Sequence, residues 1–142
     1  MTETPPNPVA APAAPLWRRL AAAGYDLLAL IALWLVVGAV WVALNGSAIA
    51  AGDPIFRAVL LLAAFGYYGY CWRGGQTLGM RAWRIRVTSA AGMRLTWPLA
   101  AQRFAVALIG LACLGAGLWW ALLDARGRMW HDLATGTEVV AA

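Results

Sequence analysis

Residues 17–44 read WRRLAAAGYDLLALIALWLVVGAVWVAL, and this stretch decides the fold because nearly all of it is apolar. All 18 residues from Leu27 to Leu44 are uncharged, which is close to the ~20 residues that an α-helix needs to cross a bilayer. Arg18 and Arg19 stand near the start of residues 17–44. The stretch therefore predicts a transmembrane helix over about residues 20–44.

The composition of the whole chain agrees with a membrane protein. Of its 142 residues, 63% are hydrophobic and only 12% are charged, whereas soluble domains average about 45–50% and about 25%. This balance disfavours a soluble enzyme. The 11 basic residues flank the apolar runs rather than gathering on a polar domain, so nucleic acid is not an expected partner.

Two further apolar segments follow, at residues 55–72 and 103–123. The second segment ends in aromatic residues typical of a membrane interface. The third contains Gly110, Gly115 and Gly117, which can interrupt a helix. It is either an ordinary span or a re-entrant pair of short helices, and we favour the re-entrant pair. The fold class is an all-α membrane protein: a small bundle of two full transmembrane helices plus this glycine-interrupted segment.

The loop at residues 73–98 is rich in arginine and alternates apolar and polar residues at 83–88 and 93–97. A turn-like Ser-Ala-Ala-Gly lies between the two stretches, which predicts a β-hairpin outside the membrane. Residues 137–140 are expected to lie beside it as a further strand. The Pro- and Ala-rich leader at residues 1–16 is expected to form no packed element, leaving residues 17–141 as the membrane domain.

The distribution of arginines predicts the orientation. Two precede the first helix, none lies in the linker 45–54, and five lie in the loop 73–98. By the positive-inside preference, the N-terminus and the loop are cytoplasmic in a multi-pass protein of the bacterial inner membrane. A cleaved signal peptide is disfavoured because the first run is longer than a signal's apolar region and Asp26 interrupts its start.

Asp26 is the most informative single residue, since an unpaired aspartate in a membrane helix costs at least about 2.5–3.5 kcal/mol. Arg19 lies seven residues earlier, on almost the same helix face. We expect Asp26 to pair with Arg19 or with Arg103 and predict energetic coupling of Arg19 with Asp26. The alternative is that Asp26 is hydrated near the headgroups.

The tail contains His131 and Asp132, but neighbouring residues of a helix project about 100° apart and do not form a catalytic dyad. We expect Asp132 instead to cap the tail or to pair with the arginine-rich loop. Cys71 and Cys113 lie in apolar segments and suggest neither a disulfide nor a metal site. We predict no catalytic residue, no cofactor and no metal.

Four separated motifs then occur in order: Arg19 with Asp26, GQTLGMR at residues 75–81, a Val-Thr…Gly hairpin, and HDLATGTEVV at residues 131–140. Together they make the chain similar to the RDD family of small bacterial membrane proteins over about residues 14–141. The residues that the resemblance involves are the signature Arg19, Asp26 and Asp132, with Arg18, Arg103, Asp124 and His131 as supporting positions. The chain departs from the family pattern in carrying Ala125 where a proline is frequent.

The resemblance implies little about activity beyond a suggested transport of an unidentified ligand. One hypothesis is an oligomeric transporter of a small solute, or a cation/proton exchanger, using Asp26 and Arg19. The other is a structural or accessory membrane component whose polar residues lock the fold. Between Leu27 and Leu44 the first helix has no Ser, Thr, Asn or Gln to line a pathway, which favours the second. Expected partners are the bilayer and either further copies of the chain or other membrane proteins.

Overall fold

A computed structural model describes residues 11–89 and 93–142. These residues are mostly helical and include a small two-stranded sheet. The elements in chain order are α1 (Leu16–Asn45), α2 (Pro54–Arg73), α3 (Leu78–Ala82), β1 (Ile85–Ser89), α4 (Trp97–Ala112), α5 (Ala116–Trp119), a 3-10 turn (Trp120–Leu122), α6 (Trp130–Thr135) and β2 (Thr137–Ala141).

Helices α1 and α2 form a long antiparallel pair joined by a short linker. Gly46 ends α1 in the left-handed conformation (φ 64°), which glycine adopts without steric cost. Asp53 starts α2 by accepting hydrogen bonds from two backbone N–H groups of its first turn. Both helices are long and apolar enough to cross a membrane, and they contain the segments predicted at 20–44 and 55–72.

The third apolar segment is broken, as its glycines predicted. Helix α4 and the short helical stretch that follows it are bent by 106°. Leu114 and Gly115 carry positive φ angles of 57° and 78° at the break. Gly110 and Gly117 lie so close that a Cβ on either would meet the backbone of the other. The absence of two side chains therefore lets α5 fold back onto α4.

The sheet pairs β1 with β2 in antiparallel register, from Ile85 opposite Ala141 to Ser89 opposite Thr137. The predicted hairpin between 83–88 and 93–97 is wrong. Residues 93–96 form no strand, and α4 begins at Trp97. The apolar residue Leu95 of this stretch is instead buried in a cluster with Trp72. The expected turn at 90–92 falls outside the described residues, whereas the predicted neighbourhood of 83–88 and the tail strand is confirmed.

Both edges of the sheet are covered by other backbone segments. The N–H of Ala14 donates to Val139 O (2.9 Å), and that of Ala141 donates to Pro12 O (3.1 Å). On the far side, the N–H of Val87 donates to Gly75 O (2.8 Å). The expectation of an unpacked leader is therefore wrong for residues 12–16, while residues 1–10 lie outside the described part. These hydrogen bonds pair backbone N–H and C=O groups at the sheet edges, which when unpaired can promote aggregation.

The buried core lies at the sheet end of the molecule rather than along the long helices. One cluster contains Ala22 of α1, Ile85 of β1 and Val139 of β2, and another joins Trp72 of α2 to Ala100 of α4. By contrast, only 6% of the most apolar 18-residue window of α1 is buried. The start of α1, the start of α4 and the tail thus converge at one end.

Candidate functional site

Asp132 is the centre of a buried ionic cluster at this converging end. Its carboxylate accepts a hydrogen bond from Arg19 Nη2 of α1 and lies 2.6 Å from Arg103 Nη2 of α4. It also accepts from the N–H of Met129 at 3.1 Å and thereby caps α6. Asp132 is fully buried, and Arg103 and Arg19 are 1% and 7% exposed. One carboxylate therefore ties together three elements that are far apart in sequence.

The two arginines have additional partners that fix their orientation. Arg19 donates to the carbonyl oxygen of Gly127, and Arg103 donates to the hydroxyl of Thr137. The guanidinium of Arg103 also lies 5.0 Å from the centre of the Trp72 ring, a cation–π distance. Of its donors, Nε has no acceptor among the described residues. The cluster thus extends from α1 and α2 to the first residue of β2.

The protonation states in the cluster follow from burial and charge. Burial alone would raise the pKa of Asp132, but Arg103, His131 and Arg19 outweigh it and lower this pKa to about 2. Burial, reinforced by the positive charges of Arg103 and Arg19, lowers the pKa of His131 to about 3. At neutral pH the carboxylate is therefore ionised and the imidazole neutral. Two guanidinium groups then face one carboxylate, and one positive charge is left in excess.

Asp26 forms a second buried cluster with neutral donors. Its carboxylate accepts hydrogen bonds from Thr77 Oγ1 (2.6 Å), Tyr67 Oη (2.8 Å) and the N–H of Gly79 (2.9 Å). It is only 3% exposed. These bonds connect α1 to α2 and to the first turn of α3. Three donors offset much of the desolvation of a buried carboxylate.

The predicted pairing of Asp26 with Arg19 or Arg103 is wrong, and so is the alternative of a hydrated Asp26. Arg19 and Asp26 do lie on one helix face, but Arg19 is engaged by Asp132 and Gly127. The expectation that Asp132 pairs with the loop 73–98 is also wrong in its partner. Both of its arginines come from helices outside that loop.

Thr77, Gly79 and Tyr67 are site residues that sequence reasoning missed. Thr77 caps α3 by accepting from the N–H of Met80 (3.1 Å) while its hydroxyl donates to Asp26. Gly79 packs so tightly against α1 that a Cβ would clash with the Ala22 carbonyl. The GQTLGMR motif contains both residues, but nothing in its spacing shows that it faces Asp26.

The remaining predicted residues lie at the edge of the clusters. Asp124 accepts from the backbone N–H groups of Arg126 (3.1 Å) and Arg128 (2.9 Å) and pairs with the Arg128 side chain. These hydrogen bonds lower the pKa of Asp124 to about 2. They close the turn even though Ala125 replaces the frequent proline. Arg18 is not part of either cluster, and its guanidinium lies over the Trp17 ring.

The two clusters provide hydrogen bonds and charge compensation between distant parts of the chain. Within residues 11–89 and 93–142 no group of three His, Cys, Asp or Glu side chains is placed to hold a metal. Both carboxylates are enclosed by donors from the chain itself. Asp26 and Asp132 are thus the centres of two buried clusters, each of which connects separate elements of the fold.

The comparison with protein families fits this geometry. The RDD family model matches residues 13–136, which run from the β-bridge at Ala13 to the end of α6 and include Arg19, Asp26 and Asp132. No curated protein and no solved structure matches the chain significantly. The match covers most of the sequence, and the chain belongs to the RDD family.

Proposed function

We propose that this protein is a non-catalytic structural or accessory component of the bacterial inner membrane. The observation that carries the proposal is the pairing of the single carboxylate of Asp132 with both Arg19 and Arg103. Removal of one member of a buried ionic group typically costs about 3–5 kcal/mol. A contact that joins α1, α4 and α6 in this way supports a role in holding the fold together.

The burial and the partners of Asp26 and Asp132 support a structural lock, meaning a cluster that holds helices together, over a transport pathway. A carboxylate that carries protons or cations must exchange its partners with water or substrate. Asp26 is 3% exposed and accepts three hydrogen bonds from the chain. Asp132 is fully buried and paired with two arginines. Both carboxylates are thus engaged by partners from the chain, and Asp132 Oδ1, which accepts no hydrogen bond among the described residues, faces Arg103 at 2.6 Å.

The proposal includes an orientation, with the N-terminus and the tail both on the cytoplasmic side. Arg103 and Asp132 are in contact although the second half of α4 and all of α5 lie between them in sequence. The segment from Arg103 to the break spans ten residues, or about 15 Å, which is about half of the hydrocarbon thickness. We therefore regard α4 and α5 as a re-entrant pair that follows the two full spans α1 and α2.

The bilayer is the first proposed partner. Many large apolar side chains of α1 are exposed, among them Leu28 (66%), Leu35 (70%) and Leu44 (81%). In water such a surface would aggregate, whereas lipid chains solvate it. An accessory role further implies contact with other membrane proteins or with copies of the same chain. Neither nucleic acid nor a cofactor is part of the proposal.

Reconstitution tests the structural role against transport. Purified protein in liposomes that contain pH and cation reporters is expected to show the same flux as protein-free liposomes. The variant Asp26→Asn, compared at an equal amount of folded protein, is expected to leave this baseline unaltered. Ion-dependent flux by the wild-type protein that is lost in an equal amount of folded Asp26→Asn would contradict the proposal and favour an exchanger.

The accessory role has a separate consequence in cells. Deletion of the gene is expected to lower the level or the activity of another membrane protein, and the wild-type chain is expected to restore it. Asp132→Asn should fail to restore it in proportion to its reduced folded level. Full restoration by a variant whose fold is lost would contradict the role that we propose for the cluster.

A further inference from the structure

A shallow pocket lies beside the start of α1, apart from the two buried clusters. It has a volume of about 190 Å³ and is lined by Trp17, Arg18, Ala82, Trp83 and Arg84. The rings of Trp17 and Trp83 meet edge to face with their centres 5.5 Å apart. The pocket therefore combines two guanidinium groups with two indole rings.

The two arginines of the pocket have no acidic partner in the part of the chain that the structure describes. Within residues 11–89 and 93–142, neither Arg18 nor Arg84 forms a salt bridge. Arg84 also has a positive φ of 51°, which costs a non-glycine residue about 1–2 kcal/mol. Its carbonyl oxygen accepts from the N–H of Ala142 at 2.9 Å, and this contact with the end of the tail helps to hold it. Such strain concentrates at binding sites.

The pocket lies at the depth of lipid headgroups. Asp26 contacts Tyr67, and Gly38 lies beside Phe56, so the end of α2 at Arg73 is level with about residue 20 of α1, given a rise of about 1.5 Å per residue. Trp17 and Arg18 then lie about 3–5 Å beyond the end of α2. Tryptophan and arginine are typical of this layer.

We propose that this pocket binds the phosphate headgroup of an anionic phospholipid of the cytoplasmic leaflet. Guanidinium groups form charge-assisted hydrogen bonds with phosphate oxygens, and basic pockets beside transmembrane helices are suited to anionic headgroups.

Native mass spectrometry of the purified full-length protein in detergent tests the inference with phosphatidylglycerol as the probe. Phosphatidylcholine is the zwitterionic comparison, and inorganic phosphate tests for a free-ion site. Arg18→Gln and Arg84→Asn remove the pocket charges, and asparagine tolerates the positive φ at position 84. Arg86→Gln removes an equal charge from an exposed residue of β1 outside the pocket.

The wild-type protein is expected to retain one phosphatidylglycerol in preference to phosphatidylcholine. Each pocket variant should weaken this binding about tenfold, the loss of one hydrogen bond to a charged group, and Arg86→Gln should leave it within about twofold. An equal loss in all three variants would show general charge attraction and overturn the inference. Inorganic phosphate that displaces the lipid at equal concentration, or no preference for the anionic lipid, would also overturn it.

Discussion

A double-mutant cycle between Arg19 and Asp132 is expected to reveal strong coupling, whereas a cycle between Arg19 and Asp26 is not. Arg19 donates directly to Asp132 in a fully buried contact. Its hydrogen bonds do not include Asp26, whose carboxylate accepts from neutral donors. The two cycles share Arg19→Met and differ only in the carboxylate changed, so each serves as the control for the other.

The magnitude follows from the charges and their burial. Two unit charges about 4 Å apart at an effective dielectric constant of about 20 attract by about 4 kcal/mol. Because Arg103 also neutralises Asp132, we expect a coupling energy of about 3 kcal/mol for Arg19→Met with Asp132→Asn. For Arg19→Met with Asp26→Asn it should stay below about 0.5 kcal/mol, as for residues without a shared partner.

Unfolding by sodium dodecyl sulfate in mixed micelles, followed by tryptophan fluorescence, measures these free energies, and the chain has nine tryptophans to report it. Additive effects of Arg19→Met and Asp132→Asn would refute the assignment of Asp132 as the partner of Arg19. A coupling above about 1 kcal/mol between Arg19 and Asp26 would refute the separation into two clusters.

Three further predictions concern single positions and use the same unfolding assay. Thr77→Val should destabilise the protein by about 2–3 kcal/mol because it removes both the cap of α3 and a hydrogen bond to the buried carboxyl group of Asp26. Thr77→Ser should recover most of this loss, and equal losses in both variants would contradict the role of the hydroxyl. Gly79→Ala should destabilise the protein by at least about 2 kcal/mol because its Cβ would clash with the backbone of α1. Gly24→Ala lies in open space on a helix and should stabilise the protein by about 0.5–1 kcal/mol. A neutral effect of Gly79→Ala would show that α3 and α1 are not in contact. The pKa of His131 falls to about 3 in the folded state, so below the usual pKa of about 6.5 the unfolded state binds more protons than the folded state. The free energy of unfolding should therefore drop by about 2 kcal/mol between pH 7 and pH 5. His131→Gln should abolish this pH dependence, and an unchanged dependence in that variant would show that another group causes it.

The sequence predicted the long helices well because their signal is local. The uncharged run from Leu27 to Leu44 predicts a spanning helix, and the linker after it, with Gly46 at the end of α1 and Asp53 at the start of α2, separates the two helices. Glycines in residues 103–123 likewise predicted the break, because glycine adopts a positive φ at little cost and has no Cβ to prevent a close helix contact.

The partners of the polar residues were beyond local reasoning. Helix spacing places Arg19 and Asp26 on one face, but it does not show what lies opposite that face. Alternation at residues 83–88 predicted a strand, yet its partner came from residues 137–141 rather than from the adjacent stretch. The adjacent stretch instead buries Leu95 and leads into α4 at Trp97. Long-range choices of this kind depend on which burial is most favourable in the whole fold.

The side of the membrane that holds the tail tests the central claim most directly. A lock made of Arg19, Arg103 and Asp132 requires the start of α1, the start of α4 and α6 to lie at the same membrane face. Fusions of a reporter that fluoresces only in the cytoplasm, and of an enzyme active only in the periplasm, can be placed in turn after Ala142. We predict a fluorescent first fusion and an inactive second one. A dark first fusion with an active second one, in a protein whose N-terminus is cytoplasmic, would make the third apolar segment an ordinary span and would contradict the lock.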